Sequence, residues 1–310
     1  MTFSRNAFYF NKKKVVDFDI EKGIENPDLA YRFRTEYDGP EDEVKNMLTA
    51  FLNDPKLGEI DSFVIGYWGP EHDDSPKSIL QLLVDNKDKL QHIKGIFTGD
   101  ITYEENEVSW IENCNHGPLL AALPNLEFYQ VRGGNGLSFG DINHPNLKKL
   151  VIQTGGLDKS VYAELSKANL PALEHLELWL GSDYYGFNAT PEEVAIAYRG
   201  AEGKTNHLPS LKYLGLRNSE IANELAQLMK GDPILDRIET LDFSRGIIDD
   251  RGAEALVDNP AIKNLKKLDL HHNFISDEWA EKLEDLGIKV DLKEREPDAD
   301  EDDRYISVSE

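Results

Sequence analysis

The sequence predicts an α/β solenoid, a stack of short parallel strands each followed by a helix. Three observations predict it. An apolar triplet recurs through most of the 310-residue chain, stretches of helical spacing follow its copies, and strands such as 175–179 interleave His175, Glu177 and Trp179 with their leucines. The triplet is an apolar anchor, two variable residues, a second apolar residue, one variable residue and a third. Its plainest copies are Leu147, Leu150, Ile152; Leu173, Leu176, Leu178; Leu211, Leu214, Leu216; Ile238, Leu241, Phe243; and Leu265, Leu268, Leu270. Looser ones are Ile60, Phe63, Ile65; Ile93, Ile96, Thr98; and Leu126, Tyr129, Val131. Successive anchors stand 33, 33, 21, 26, 38, 27 and 27 residues apart. Pro124, Pro145, Pro171 and Pro209 each precede an anchor by two positions, where proline ends the preceding segment.

The second and third apolar residues of a triplet lie two apart, so they share one side of a strand and the residue between them takes the other. Ile221, Leu225, Leu228 and Trp279, Leu283, Leu286 then repeat at helical spacing. Helix starts are marked by Ser276-Asp277, by Asp249-Asp250, and by Thr190-Pro191-Glu192-Glu193 with proline just inside. One strand and one helix cannot bury their own apolar faces, whereas stacked steps can. A doubly wound α/β sheet also alternates the two elements, but its strands are buried on both sides. Here one side must be wet.

Residues 1–56 lack the triplet. Val15–Phe18 and Tyr31–Tyr37 read as strands, and Glu41–Leu52 as a helix with Val44, Leu48 and Phe51 on one face. This region is expected to cap the solenoid, which spans 57–292. Residues 293–310 form an acidic tail: Glu294–Asp303 is nearly all acidic, and Tyr305–Ser309 alternates apolar and polar residues like a short edge strand.

The triplets and their helices resemble the leucine-rich repeat (LRR) superfamily, specifically its ribonuclease-inhibitor-like class. The segment Leu265–Leu286 matches best, with Asn273 at the asparagine position, and Ile248, Asp250, Gly252, Ala253 and Leu256 follow a run common in that class. Further blocks (Gly99–Glu104, Arg132–Leu137, Leu176–Gly181 and Tyr213–Asn218) look like a family of bacterial cytoplasmic LRR proteins, a likeness that implies no activity. The resemblance implies strands on a concave face, helices on a convex one, and protein recognition. Gly134, Gly155, Gly181, Ser219 and Gly246 stand where the repeat asparagine would, so no regular asparagine ladder is expected.

Composition narrows the function. With 34 basic and 58 acidic side chains the formal charge is −24, which repels polyanions and excludes nucleic acid. No apolar run has the length of a membrane span, and no export signal is visible. One cysteine, Cys114, allows no internal disulfide, and a cytoplasmic location is expected.

The outward residues of the strands form two rows. The first reads Val64, Phe97, Gln130, Val151, Glu177, Gly215, Asp242, Asp269. The second reads Gly66, Gly99, Arg132, Gln153, Trp179, Arg217, Ser244, His271. Arg and Trp are the residue types of binding hot spots. Arg132, Gln153, Glu177, Trp179, Arg217, Asp242, Asp269 and His271, with Tyr184 and Tyr185 in the adjoining loop, are therefore the candidate partner-binding residues. The alternative is that the arginines neutralise Glu177, Asp242 and Asp269 on a crowded acidic sheet.

Other motifs are weaker. Gly136-Leu-Ser-Phe-Gly140 has the form of a nucleophile elbow, yet the triplet at Leu147 leaves no room for the required helix, so Ser138 reads as a loop residue. Gly133–Gly136 lacks the spacing and helix of a dinucleotide loop. His271 and His272 are adjacent and so point to opposite sides, which suits a solvated pair better than a metal site. The acidic segment Asp100–Trp110 lacks calcium-loop spacing, with Trp110 expected to pack inward, and Glu71–Asp74 reads as a polar loop. No cofactor or metal is expected. The sequence thus points to a non-enzymatic protein- or peptide-binding module, with a basic partner favoured by the charge. The alternative is a hydrolase with a site near Ser138, Arg132 and Asp100.

Overall fold

The computed structural model describes residues 2–36, 39–40, 42–69, 75–201 and 207–309. Among them strands and helices alternate, in two compact units: residues 2–152 with 168–172, and residues 153–167 with 173–309. The N-terminal unit carries β1 (Tyr9–Phe10), β2 (Lys13–Asp17), β3 (Leu29–Phe33), β4 (Ser62–Ile65), β5 (Gly95–Thr98), β6 (Phe128–Arg132) and most of β7 (Lys149–Gln153). Its helices are α1 (Glu43–Leu52), α2 (Lys77–Asp85) and α3 (Gly117–Ala122). The C-terminal unit carries α4 (Lys159–Lys167), β8 (His175–Gly181), α5 (Pro191–Arg199), β9 (Tyr213–Ser219), α6 (Ala222–Leu228), β10 (Thr240–Asp242), α7 (Asp250–Val257), β11 (Lys267–Asp269), α8 (Asp277–Glu284) and β12 (Lys289–Asp291).

Strand order follows the chain within each unit. β1 is antiparallel to β2, and the pairs from β2 to β6 and from β8 to β12 are parallel. Sequential parallel strands with a helix returning the chain between them are the architecture of an LRR-type solenoid. Every anchor of the triplet is at most 3% exposed, which is what makes each step depend on its neighbours for a core. The register aligns the triplets: Leu176, Leu214, Leu241 and Leu268 are successive partners.

Local chemistry sets the helix starts. Thr190 and Glu193 form a complete capping box, and Asp249 accepts from the Arg251 amide at 2.9 Å. Ser276 stands at the start of α8 without a side-chain capping bond. No helix occupies the 21-residue step between Leu126 and Leu147. Its return is extended instead, bridged at Glu112–Asn135 and Asn115–Ser138. Leu137 is buried there, and no helix follows Ser138 directly.

Residues 1–56 continue the sheet through β1, β2 and β3, while α1 places Val44, Leu48 and Phe51 in the core. Phe51 meets Phe33 at 5.0 Å and Phe63 at 5.8 Å between ring centroids. The expected helix start at Glu41, the strand end at Tyr37 and the loop Glu71–Asp74 lie outside the described residues. Two local expectations are corrected. Trp110 is 59% exposed while its neighbour Ile111 is buried, because Trp110 closes a turn, its amide bonded to Glu107 O at 2.9 Å, before the chain enters the core at Ile111. His272 is not solvated but 5% exposed, its ring against Phe274 and Tyr305. Asn273 serves its own step, bonding Leu270 O at 2.7 Å and the Ile275 amide at 3.1 Å. No described helix is long and apolar enough to cross a membrane.

Candidate functional site

The strand register reproduces the first row in each unit. Asp17, Arg32, Val64, Phe97 and Gln130 are successive partners in the N-terminal unit, and Glu177, Gly215, Asp242, Asp269 and Asp291 in the C-terminal one. Trp179 partners Arg217 in the second row. The two units use this strand face differently.

In the N-terminal unit the face is covered by the chain itself. Val64 and Phe97 are apolar, and the segment that leads into β1 folds back over them. Phe10 packs on Phe97 and Phe128 with centroids 5.9 and 4.7 Å apart, in a cluster with Val15 and Ala30. Arg132 lies within this cover and is 4% exposed. Its guanidinium sits 3.6 Å from the Phe3 ring, donates to Ile101 O at 2.6 Å, and lies 3.8 Å from Asp100. Burial pulls the Arg132 guanidinium down to about 10, against the attraction of Asp100 and Glu105. Asp100 has no exposed surface: it accepts from the Ala7 amide at 3.0 Å and pairs with Arg32 at 3.0 Å. Both groups are spent on holding the N-terminal segment down. Ser138 has its main chain tied to Cys114 and His116.

Beside this cover is a cleft of about 650 Å³ lined by Arg5, Lys14, Arg32, Arg34, Glu104 and Glu105 among others. Arg32 and Arg34 already pair with Asp17, and Arg34 with Glu105 at 3.0 Å. The sequence signal for it was the alternation Arg32-Phe33-Arg34, which sends two guanidinia to one side of a strand.

In the C-terminal unit the same face is polar and organised by ion pairs. Four of the five residues in its first row across β8–β12 are carboxylates, on strands about 4.8 Å apart, so they repel unless cations enter between them. Arg217 is placed by its strand to do this: NH1 meets Glu177 at 2.9 Å, and Nε meets Asp242 at 3.4 Å and the Ser244 hydroxyl at 2.9 Å. Lys267 does the same for Asp269 at 2.5 Å and Asp291 at 3.9 Å. Glu177 also accepts from Trp179 Nε1 at 2.8 Å and contacts His175 Nε2 at 3.1 Å. His175 stacks on Tyr213 at 3.8 Å and 2°, and Tyr213 Oη donates to Asp242. Gly215 makes room: a Cβ there would lie 3.0 Å from the Tyr213 ring and 3.3 Å from Glu177 Cγ.

These contacts set the ionisation. Burial alone would raise the Glu177 carboxyl, but the His175 hydrogen bond, the Arg217 charge and Trp179 overcome it and hold it at about 2. Asp269 is likewise held below the usual carboxylate range, burial being outweighed by His271 and Lys267. Arg217 is raised by Asp242 and Glu177 despite its burial. The network is therefore charged at neutral pH.

Trp179 is only 4% exposed, because the Arg217 and Arg245 guanidinia stand 5.0 and 5.6 Å from its ring. A partner would meet the tips of His175, Tyr213, Arg217, Lys267 and His271, all partly exposed, rather than the indole. Tyr184, 84% exposed, and half-buried Tyr185 project beyond β8 on a turn that Ser182 caps at 3.2 Å. Gln153 is half-buried at the end of β7. The structure thus brings Glu177, Trp179, Arg217 and Asp242 into one cluster and Asp269 and His271 into a second one around Lys267 on the adjoining strands, and puts Arg132 in the other unit. Arg245 is the member that the rows omitted. It follows Ser244 at a left-handed turn (φ 67°), so its side chain returns over Trp179.

No family model matches the chain, and no curated protein does. Among solved structures, one of a Leptospira interrogans LRR protein is 17% identical, with 89% of this chain and 57% of that one aligned and a TM-score of 0.41. An internalin from Listeria monocytogenes is 15% identical over 85% of this chain and 74% of its own, with a TM-score of 0.37. The crystal structure of a Bacteroides fragilis protein is 34% identical over 86% of this chain and 74% of its own length, with a TM-score of 0.78. At that identity and coverage, the chain belongs to the family of this Bacteroides fragilis protein.

Proposed function

We propose that the chain is a cytoplasmic, non-enzymatic recognition module that binds a protein or peptide on the strand face of its C-terminal unit, across β8 to β11. The observation that carries this reading is the ion-pair network there. His175, Tyr213, Arg217, Lys267 and His271 are held in place by carboxylates beneath them, with their tips at the surface. Side chains ordered before binding lose little entropy when a partner arrives, which is how a modest polar surface gains affinity. Donors set above satisfied carboxylates suit carboxylate and backbone carbonyl groups of a peptide, while Tyr184 offers a rigid aromatic contact at the margin. The overall charge of −24 steers basic partners toward the molecule at rates that fall with salt.

The test is capture from cells of the source organism by three proteins in parallel: the wild type, Tyr184→Ala with Lys267→Glu, and a control altered on the opposite, helical side. Tyr184 is exposed and Lys267 partly so, and because Lys267 neutralises Asp269 and Asp291 the circular dichroism and melting temperature of the double variant are matched to wild type before capture is scored. Partners retained by the control and lost by the double variant would mark this face. An identical captured set from all three would remove the reading.

A further inference from the structure

The segment Arg304–Val308 does not join the sheet as an edge strand. It runs back along the loops that follow β11 and β10 and along the end of β9, touching one step after another. His272 Nε2 meets Tyr305 O at 3.2 Å. The Ser307 amide donates to Arg245 O at 2.9 Å, and Arg245 NH1 donates to the Ser307 hydroxyl at 3.0 Å. Asn218 closes the run with both ends of its amide, accepting from the Val308 amide at 2.8 Å and donating to Val308 O at 2.5 Å. Ile306, Ser307 and Val308 are at most 3% exposed, whereas Tyr305 is 58% exposed. Arg304 pairs with Asp249 at 2.7 Å.

The three receiving residues share a backbone feature. Asn218, Arg245 and His272 all have left-handed φ, at 52°, 67° and 58°. They recur at the 27-residue step, two positions past the last apolar residue of each triplet. Only glycine adopts this conformation freely, so three larger residues in register hold it at a cost the surrounding structure must overcome. Each uses the turn to offer the segment a main-chain or side-chain group. A mere end seal for the solenoid would sit on β12, the last strand of the sheet among the described residues. This segment instead crosses three inner steps.

We propose that Asn218, Arg245 and His272 form a peptide-binding site for an extended apolar-Ser-apolar segment, occupied in cis by Ile306-Ser307-Val308 and able to take an equivalent segment from a partner protein. Main-chain hydrogen bonds supply affinity and the two buried apolar side chains supply selectivity, as in other extended-peptide receptors. The acidic run Glu294–Asp303 is the tether. Its start is anchored, Arg295 bridging to Asn273 and pairing with Asp277 at 2.5 Å, so a tether of about ten residues holds the segment at millimolar effective concentration and the cis segment excludes weaker competitors. A cationic partner that engages the tether would lower this advantage. Because Arg245 also stands over Trp179, occupancy of the site is felt on the neighbouring strand face.

The experiment keeps the full chain. A protease site is placed within Pro297–Asp303, the folded protein is cut, and a fluorescent peptide of the sequence Arg304–Glu310 is added while anisotropy is followed. Saturable binding should emerge after cutting, at least a hundredfold tighter than to the uncut chain. An Ile306→Asp peptide should not bind. Asn218→Gly keeps the turn while deleting both amide contacts, and should weaken binding about tenfold or more. Three results would overturn the proposal: a cut segment that never exchanges with the label, a chain that unfolds when the segment leaves, or equal binding of the Ile306→Asp peptide. The probe is a defined peptide, so the outcome does not depend on whether the β8–β11 face takes a partner.

Discussion

Glu177→Gln is the perturbation that probes the polar strand face most directly. The substitution keeps the shape of the side chain and removes one charge from a site that is 7% exposed. Arg217 then keeps Asp242 and Ser244 but loses its closest carboxylate, at 2.9 Å. Breaking a buried pair from one side costs roughly 3–5 kcal/mol, and the remaining partners place this case at the lower end. An independent route gives the same size: a carboxyl lowered from 4.5 to about 2 contributes about 3 kcal/mol at neutral pH. The sign follows from proton binding. Glu177 binds fewer protons folded than unfolded, so its contribution is complete above pH 4.5 and disappears as pH falls through about 2.

Urea unfolding at pH 7, read by tryptophan emission, should move its midpoint down by roughly 1 M with unchanged slope. Repeated from pH 6 to pH 2, the variant should lose less stability on acidification than the wild type, and the two should converge at the acid end. Adding Arg217→Met to Glu177→Gln should cost less than the two single changes together, by a coupling of about 1–3 kcal/mol, but should not restore wild-type stability, because Asp242 then loses its cation. A Glu177→Gln protein within about 0.5 kcal/mol of wild type at pH 7, or one with an unaltered acid limb, would refute the claim that this network is ordered by charge.

Three further outcomes follow from geometry. Gly181→Ala should cost at least about 3 kcal/mol in thermal unfolding, because Gly181 has φ 84° and a Cβ there would collide with the Gly155 carbonyl, next to the Gly156–Gly181 bridge. Phe10→Ala should cost about 3–5 kcal/mol and raise binding of a hydrophobic dye, since it uncovers Val64 and Phe97; an unchanged melting temperature would show that the N-terminal cover is loosely held. The Cys114 thiol is pushed by burial up to about 11, so iodoacetamide should modify it slowly at pH 8 and faster as pH approaches 11.

The solenoid was legible because each step repeats one physical demand. Leu176, Leu214, Leu241 and Leu268 must face the same core, so the sequence carries their spacing whatever the loops do. The strand rows were legible for the same reason, since alternation assigns the intervening residues to the other side. What those residues then do was not. Arg132 and Arg217 occupy equivalent places in the pattern, yet one is sealed beneath Phe3 and the other bridges two carboxylates. The difference is made by Phe3 and Asp100 in one case and Asp242 in the other. Phe3 is 129 positions from Arg132, a separation that no local pattern encodes. The segment at Ile306–Val308 announced itself by alternation, but its seat depended on three left-handed residues, and Arg245 is not of a type that favours such turns.

Every residue on the outward side of a parallel sheet needs either a cover or a counter-charge. The N-terminal unit meets that need with its own chain. Val15 and Ala30 in one row and Val64 and Phe97 in the next would expose a hydrophobic patch, so Phe10 and the residues before β1 fold back over it, and Asp100 and Arg132 fasten them. The C-terminal unit meets it with charge. Glu177, Asp242 and Asp269 cannot be covered by an apolar segment without losing hydration, so Arg217 and Lys267 neutralise them in place and remain partly exposed. A covered face has no free surface for a partner, whereas an ion-paired face keeps water on its donors and can exchange it for a ligand. Apolar residues such as Val64 and Phe97 on one stretch of the strand face, and acidic ones such as Glu177 and Asp242 on another, therefore decide which part is covered and which keeps its donors partly exposed.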